Sequence, residues 1–134
     1  MLTAVIGYVT ALVVFFGVDM VWLGIMASRY YRPIMGDIAL ATVNLPAAFV
    51  FYAIYPIGLL TFAVYPALKS GSLTTALIYG ALFGFFTYAT YDLTNQATLR
   101  NWSLSLTLVD VAWGTVLGAV AAAAGYAAAS RFAA

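Results

Sequence analysis

The chain has no cysteine, no histidine and no glutamate among its 134 residues. Without cysteine there is no disulfide, no iron–sulfur ligation and no thiol nucleophile. Without histidine the commonest haem and zinc ligand is missing, and so is the commonest general base. Acid chemistry falls to four aspartates, Asp19, Asp37, Asp92 and Asp110. The cationic side chains are Arg29, Arg32, Lys69, Arg100 and Arg131. The single lysine lies in a short turn, which argues against a Schiff-base lysine inside the apolar part of the chain. No cofactor and no metal is expected from this set. Charge of either sign is scarce: 7% of residues carry it, against about 25% in a soluble domain. A net charge of +1 gives no electrostatic footprint for nucleic acid.

What is present is apolar. Hydrophobic residues make up 66% of the chain, and the mean hydropathy is +1.04. So few polar groups cannot cover a water-facing surface, so the solvent is lipid. A membrane span needs about 20 mainly apolar residues. Four runs qualify, at about 3–27, 45–68, 73–93 and 104–129. Lipid offers the backbone no hydrogen-bond partner, so each run is read as a helix. The alternating pattern of a membrane strand is absent. The expectation is an all-α fold, a four-helix transmembrane bundle forming a single integral membrane domain over residues 1–134. The first run lacks a charged leader and a small-residue cleavage site, and is read as a retained span.

An even number of spans puts both termini on one side of the bilayer, together with the tight turn "KSGS" at 69–72. The segments 28–44 and 91–102 then share the other side, called here the loop side. Its arginines tilt it slightly toward the cytoplasm. Asp19 lies eight residues before the end of span one, about 12 Å below the loop side at 1.5 Å per residue. Asp110 lies six residues into span four, about 9 Å below the same side. Asp92 closes span three there. Three carboxylates on three helices thus gather at one end of the bundle.

Two pentapeptides repeat a pattern: "VDMVW" at 18–22 and "VDVAW" at 109–113. Each places Trp three residues after Asp, on one helical face. The copies run in opposite directions, which suggests an inverted duplication. A true inverted repeat would keep the motif's place within each half, and here it does not. Tyr88, Asp92 and Asn95 form a further stripe at i, i+4 and i+7. The expected ligand-binding cluster is therefore Asp19, Trp22, Tyr88, Asp92, Asn95, Arg100, Asp110 and Trp113. An aspartate at mid-helix costs roughly 2.5–3.5 kcal/mol to insert, so these residues are expected to bind something or to hold helices together. Trp102, Tyr30 and Tyr31 read as interfacial anchors, and "RYYRP" at 29–33 as a headgroup contact. Gly80/Gly84 and Gly114/Gly118 are GxxxG pairs, which allow close helix approach. Pro56, mid-span, is expected to kink its helix and free the carbonyl of Tyr52.

The phrase "YDLTNQATLRNW" followed by "VDVAWG" resembles the signature YDLTNxATLxxW…DxxWG of a family of bacterial inner-membrane proteins catalogued as a domain of unknown function. The resemblance covers nearly the whole chain. It implies a multi-pass protein of the bacterial cytoplasmic membrane. Many relatives carry proline after the tryptophan; Ser103 stands there here, which implies a less sharply fixed entry to span four.

The leading expectation is a binding or transport module for a small amphipathic molecule or lipid. The alternatives are a lipid-modifying membrane enzyme using aspartates as acid and base, and an accessory subunit of a larger membrane complex. The expected partners are membrane lipid, a small amphipathic ligand, and a second copy of the chain or another membrane protein; nucleic acid is excluded. The topology is directly testable. Cysteines placed singly at Leu2, Asp37 and Ala133 are expected to label from one side in two groups, 2 with 133, and 37 alone. Labelling of 37 together with either terminus overturns the four-span reading.

Overall fold

The computed structural model describes residues 1–133. It consists of four long helices, each long and apolar enough to cross a membrane: α1 (Leu2–Ile38), α2 (Leu45–Ser70), α3 (Leu73–Thr98) and α4 (Leu104–Ala129). The chain is a multi-pass four-helix membrane bundle, with no strand among the described residues. Three helix starts carry the expected chemistry. The side chains of Asn44, Ser72 and Ser103 each accept a hydrogen bond from the backbone N–H three residues on, satisfying a donor the helix itself leaves open. Ser103 therefore fixes the entry to α4 by capping it, where proline would have done so by restricting φ. Gly71, with φ +63°, makes the αL turn that ends α2.

α1 runs further than the apolar run that starts it. A π-turn at Ala27–Tyr31 and a short helical piece at Arg32–Met35 continue it. Its α-helical part stops at Gly36, whose φ of +58° few other residues adopt, and a single tighter turn carries α1 on to Ile38. The 28–44 segment, expected to be a loop, is thus helical over its first half. At 1.5 Å per residue the 37 residues of α1 extend about 55 Å, well beyond a hydrocarbon core of about 30 Å. The overhang does not stand free. Tyr30 Oη bonds Ser105 Oγ at 2.5 Å and Tyr31 Oη donates to Asp110, which folds the end of α1 over the start of α4.

α4 is the central helix. Its buried face carries Gly114, Leu117, Gly118, Ala121, Ala122, Gly125 and Ala129, and it meets α3 on one side and α1 on the other. The α3–α4 seam is backbone on backbone. A Cβ on Gly84 would lie 2.0 Å from the Gly114 carbonyl oxygen, and one on Gly80 2.5 Å from that of Gly118. A Cβ on Gly114 would meet the ring of Tyr88 at 2.1 Å, so the glycine also seats that tyrosine. The two GxxxG pairs are helix contacts, as expected.

α2 is packed at one end only. Leu59, Leu60, Ala63 and Val64, around its π-turn at Leu60–Val64, are buried. They form the core with Phe15, Leu117, Ala121 and Ala122. Pro56 lies four residues before that turn and is buried; the nearby Ala53 carbonyl accepts from Tyr8 Oη at 2.8 Å. Toward the loop side the helix is exposed, with Phe49 at 67% and Val50 at 57%. Its outer turns thus stand away from α4 and leave room between α2 and α3.

Gly84→Ala is expected to destabilise the bundle by about 1–3 kcal/mol, the range for overpacking, read as a lower melting temperature in detergent. Gly24→Ala is the control: nothing lies within 4 Å of its added Cβ, so no loss is expected. Equal melting of the two variants would mean that the seam is not a close contact.

Candidate functional site

Asp19 is 6% exposed and both its oxygens are bonded by the protein. Oδ2 accepts from Tyr52 Oη at 2.5 Å and Oδ1 from Trp113 Nε1 at 3.0 Å. One carboxylate therefore ties α1 to α2 and α4. Hydrogen bonds to a carboxylate are shorter and stronger than neutral ones, and in lipid no water competes for them.

The two Asp–Trp units do not pair within themselves; they exchange partners. Trp113 of the second unit donates directly to Asp19 of the first. Trp22 of the first donates to Tyr31 Oη at 3.0 Å, and Tyr31 Oη donates to Asp110 Oδ1 of the second, also at 3.0 Å. The indoles of Trp22 and Trp113 stack between these links, 4.2 Å apart and within 6° of parallel. The result is one connected girdle, Tyr52–Asp19–Trp113 against Trp22–Tyr31–Asp110, drawn from three helices. Tyr88, seated on Gly114, stands within electrostatic reach of both Asp19 and Asp110.

Two cavities reach Asp110 of this girdle. The first, about 340 Å³, opens between α2 and α3 where the outer turns of α2 stand apart. It is lined by Phe51, Tyr55, Thr87, Tyr88 and Tyr91, with Asp110 as its only charged group. The second, about 230 Å³, lies toward the loop side between α1, α3 and α4. Leu23, Tyr31, Met35, Tyr91, Asp92, Trp102, Leu106 and Asp110 line it. Tyr91 and Asp110 belong to both, so an apolar crevice open to the bilayer meets a polar pocket near the rim at these two residues. No lysine or arginine lines either cavity.

Asp92 lies at the boundary with an unusual status. It is 0% exposed, and among the described residues neither of its oxygens has a hydrogen-bond partner. Asp110 is close enough to share a hydrogen bond with it when one of the two carries a proton. A buried acceptor left without a partner costs about 1–3 kcal/mol, more when charged, so a proton, a water or a ligand donor is needed there. Gln96 Oε1, one turn further along α3, is likewise buried and unbonded.

Of the residues singled out in the sequence, Asp92 and Asp110 share the second cavity, and Tyr88 lines the first. Asp19, Trp22 and Trp113 form the girdle and line neither. Asn95 is half-buried on α3. Arg100 is exposed in the turn beyond α3 and lines neither cavity; the girdle's hydrogen bonds come from tyrosine and tryptophan. Tyr31 and Trp102, read as interfacial anchors, line the second cavity. Tyr31 bridges Trp22 and Asp110, and Trp102 Nε1 donates to Thr107 Oγ1 at 3.0 Å while its ring lines the second cavity. The side chains of Tyr52 and Tyr55 carried no signal beyond being tyrosines in an apolar run, whereas Tyr91 opens the phrase YDLTNQATLRNW and was not singled out from it. No group of three or more acids occurs among the described residues that could hold a metal ion.

The chain belongs to the family described as "Predicted membrane protein (DUF2177)", which matches it over residues 4–127. No curated protein and no solved structure matches it significantly.

Tyr52→Phe and Trp113→Phe each remove one donor from Asp19. Each is expected to lower stability by about 1–3 kcal/mol, because a buried carboxylate oxygen is left unpaired. Tyr79→Phe, at a residue that is 45% exposed and whose hydroxyl makes no hydrogen bond among the described residues, is expected to change little. Unfolding of the purified protein in mixed detergent checks all three, and wild-type stability of both girdle variants would show that Asp19 ties nothing together.

Proposed function

We propose that this member of the family is a binding module for a small amphipathic molecule or a lipid. The apolar part lies in the crevice between α2 and α3, and the polar head meets Asp110 and Asp92. The observation that supports this best is the junction of the two cavities. Aromatic walls open to the bilayer lead to a carboxylate, and behind it stands a second, buried carboxylate without a partner. Ligand sites combine largely apolar lining with a few placed polar groups, and intramembrane ionisable residues mark such sites by default. Asp19 and the stacked indoles serve as the rigid back wall that fixes Asp110 through Tyr31. The resemblance in the loop phrase supports a place in the bacterial cytoplasmic membrane.

A second reading is a lipid-modifying enzyme. It is favoured by the adjacency of Asp92 and Asp110, since two neighbouring carboxyls can hold one proton between them and hand it on. It differs from the first in requiring a changed product.

Native mass spectrometry of the protein extracted in mild detergent separates these readings. Wild type is expected to retain a small-molecule adduct, and Tyr91→Ala, which opens the wall shared by both cavities, is expected to lose most of it while its melting curve is retained. An adduct converted on incubation indicates the enzyme. The binding reading fails if wild type carries no adduct, or if Tyr91→Ala carries as much.

A further inference from the structure

The second cavity carries information about the head it takes. Its charged groups are two carboxyls, Asp92 and Asp110, and no lysine or arginine faces them. Three aromatic side chains, Tyr31, Tyr91 and Trp102, complete its polar end. The rings of Tyr91 and Trp102 stand nearly perpendicular, at 82° with centroids 5.7 Å apart, and so make a corner. Two of the donors an anionic head would need are already engaged: Tyr31 Oη donates to Asp110 and Trp102 Nε1 to Thr107. What remains for a ligand is the one neutral hydroxyl of Tyr91, carboxyl oxygen and aromatic ring. Asp92 adds an independent sign: it is wholly buried, and apart from a proton it can share with Asp110 its oxygens have no partner among the described residues.

Resting on the binding reading above, we propose that this pocket is an ammonium site: the head bound beside Asp92 and Asp110 is an alkylated or primary amine, caged by Tyr31, Tyr91 and Trp102. Aromatic faces attract a cation through the ring quadrupole and are the usual cage for quaternary ammonium groups. They offer a hydroxyl head no comparable gain. A phosphate or carboxylate head would meet two acids and no free cation, an arrangement that favours rejection. The depth also fits. Asp92 lies six residues from the end of α3 and Asp110 six from the start of α4, within about 9 Å of the helix ends, where headgroups lie. The same chemistry is found on an amine-bearing lipid and on a free organic cation.

Isothermal titration of the purified protein in neutral detergent tests this, with dodecyltrimethylammonium as the probe and the analogue with carbon in place of nitrogen as its uncharged match. The cation is expected to bind at least about tenfold more tightly than the match. Asp92→Asn is expected to weaken the cation at least about tenfold, through the loss of charge attraction alone since a trimethylammonium has no N–H to donate, and Trp102→Leu about fivefold. Asp37→Asn, in the exposed loop segment, is the unchanged control. Tetramethylammonium, and nanodiscs of phosphatidylcholine against phosphatidylglycerol, tell the sources apart. Binding of the small ion alone assigns the site to free cations, and a preference confined to the choline lipid assigns it to headgroups. If the uncharged match binds as well as the cation, or if both Asp92→Asn and Trp102→Leu bind the cation like wild type, the ammonium assignment is overturned while amphiphile binding stands. If neither probe binds, the binding reading falls with it.

Discussion

Lipid offers no hydrogen bond, and the arrangement of this bundle follows from how its aspartates answer that constraint. Asp19 is answered completely by tyrosine and tryptophan from two other helices. Asp110 is answered by Tyr31 from the far end of α1. Asp92 is answered by no donor among the described residues. The gradient from satisfied to unsatisfied runs from the middle of the bundle toward its rim. The same chemical group is thus fully bonded in one helix and left without a donor in another.

Close helix packing makes this possible. Glycines at 80, 84, 114 and 118 let α3 and α4 touch through their backbones, which brings Asp92 and Asp110, on facing helices, to one wall of a single cavity. The stacked indoles act in the opposite sense, as a spacer. They keep Asp19 away from that cavity and stiffen the wall behind it, because two parallel rings 4.2 Å apart leave little freedom to either side chain. α2 contributes by being packed at one end only, which leaves the crevice open to the membrane.

Much of this was readable in the residues. Composition dictated lipid as the solvent, four apolar runs dictated four helices, and two GxxxG pairs marked the seam. The Asp–Trp pentapeptides marked the girdle, though not that each tryptophan would serve the other copy's aspartate, which only the pairing of antiparallel helices decides. Tyr31 was hidden for a specific reason. It follows Trp22 by nine residues, about two and a half turns of a regular helix, which puts it on the opposite face. The π-turn at Ala27–Tyr31 adds a residue to one turn and rotates Tyr31 back into line, and periodicity has no mark for such a turn. Arg100 illustrates the converse. An arginine eight residues after Asp92 and ten before Asp110 suggested a place in the binding cluster, yet the helix carrying Asp92 continues to Thr98 and carries the arginine out beyond the pocket.

The overhanging end of α1 also bears on the order in which the molecule assembles. α3 and α4 are joined by only five residues, 99–103, so their closure has a small loop-entropy cost, and their glycine faces complement each other as a hairpin. The polar pocket, however, takes Leu23, Tyr31 and Met35 from α1, which is made before the other three helices and is separated from α4 by α2 and α3. The pocket therefore closes only after α4 has been made and α1 has folded back over it. A ligand that fills it binds only the finished bundle and, by mass action, holds the last docking step in place.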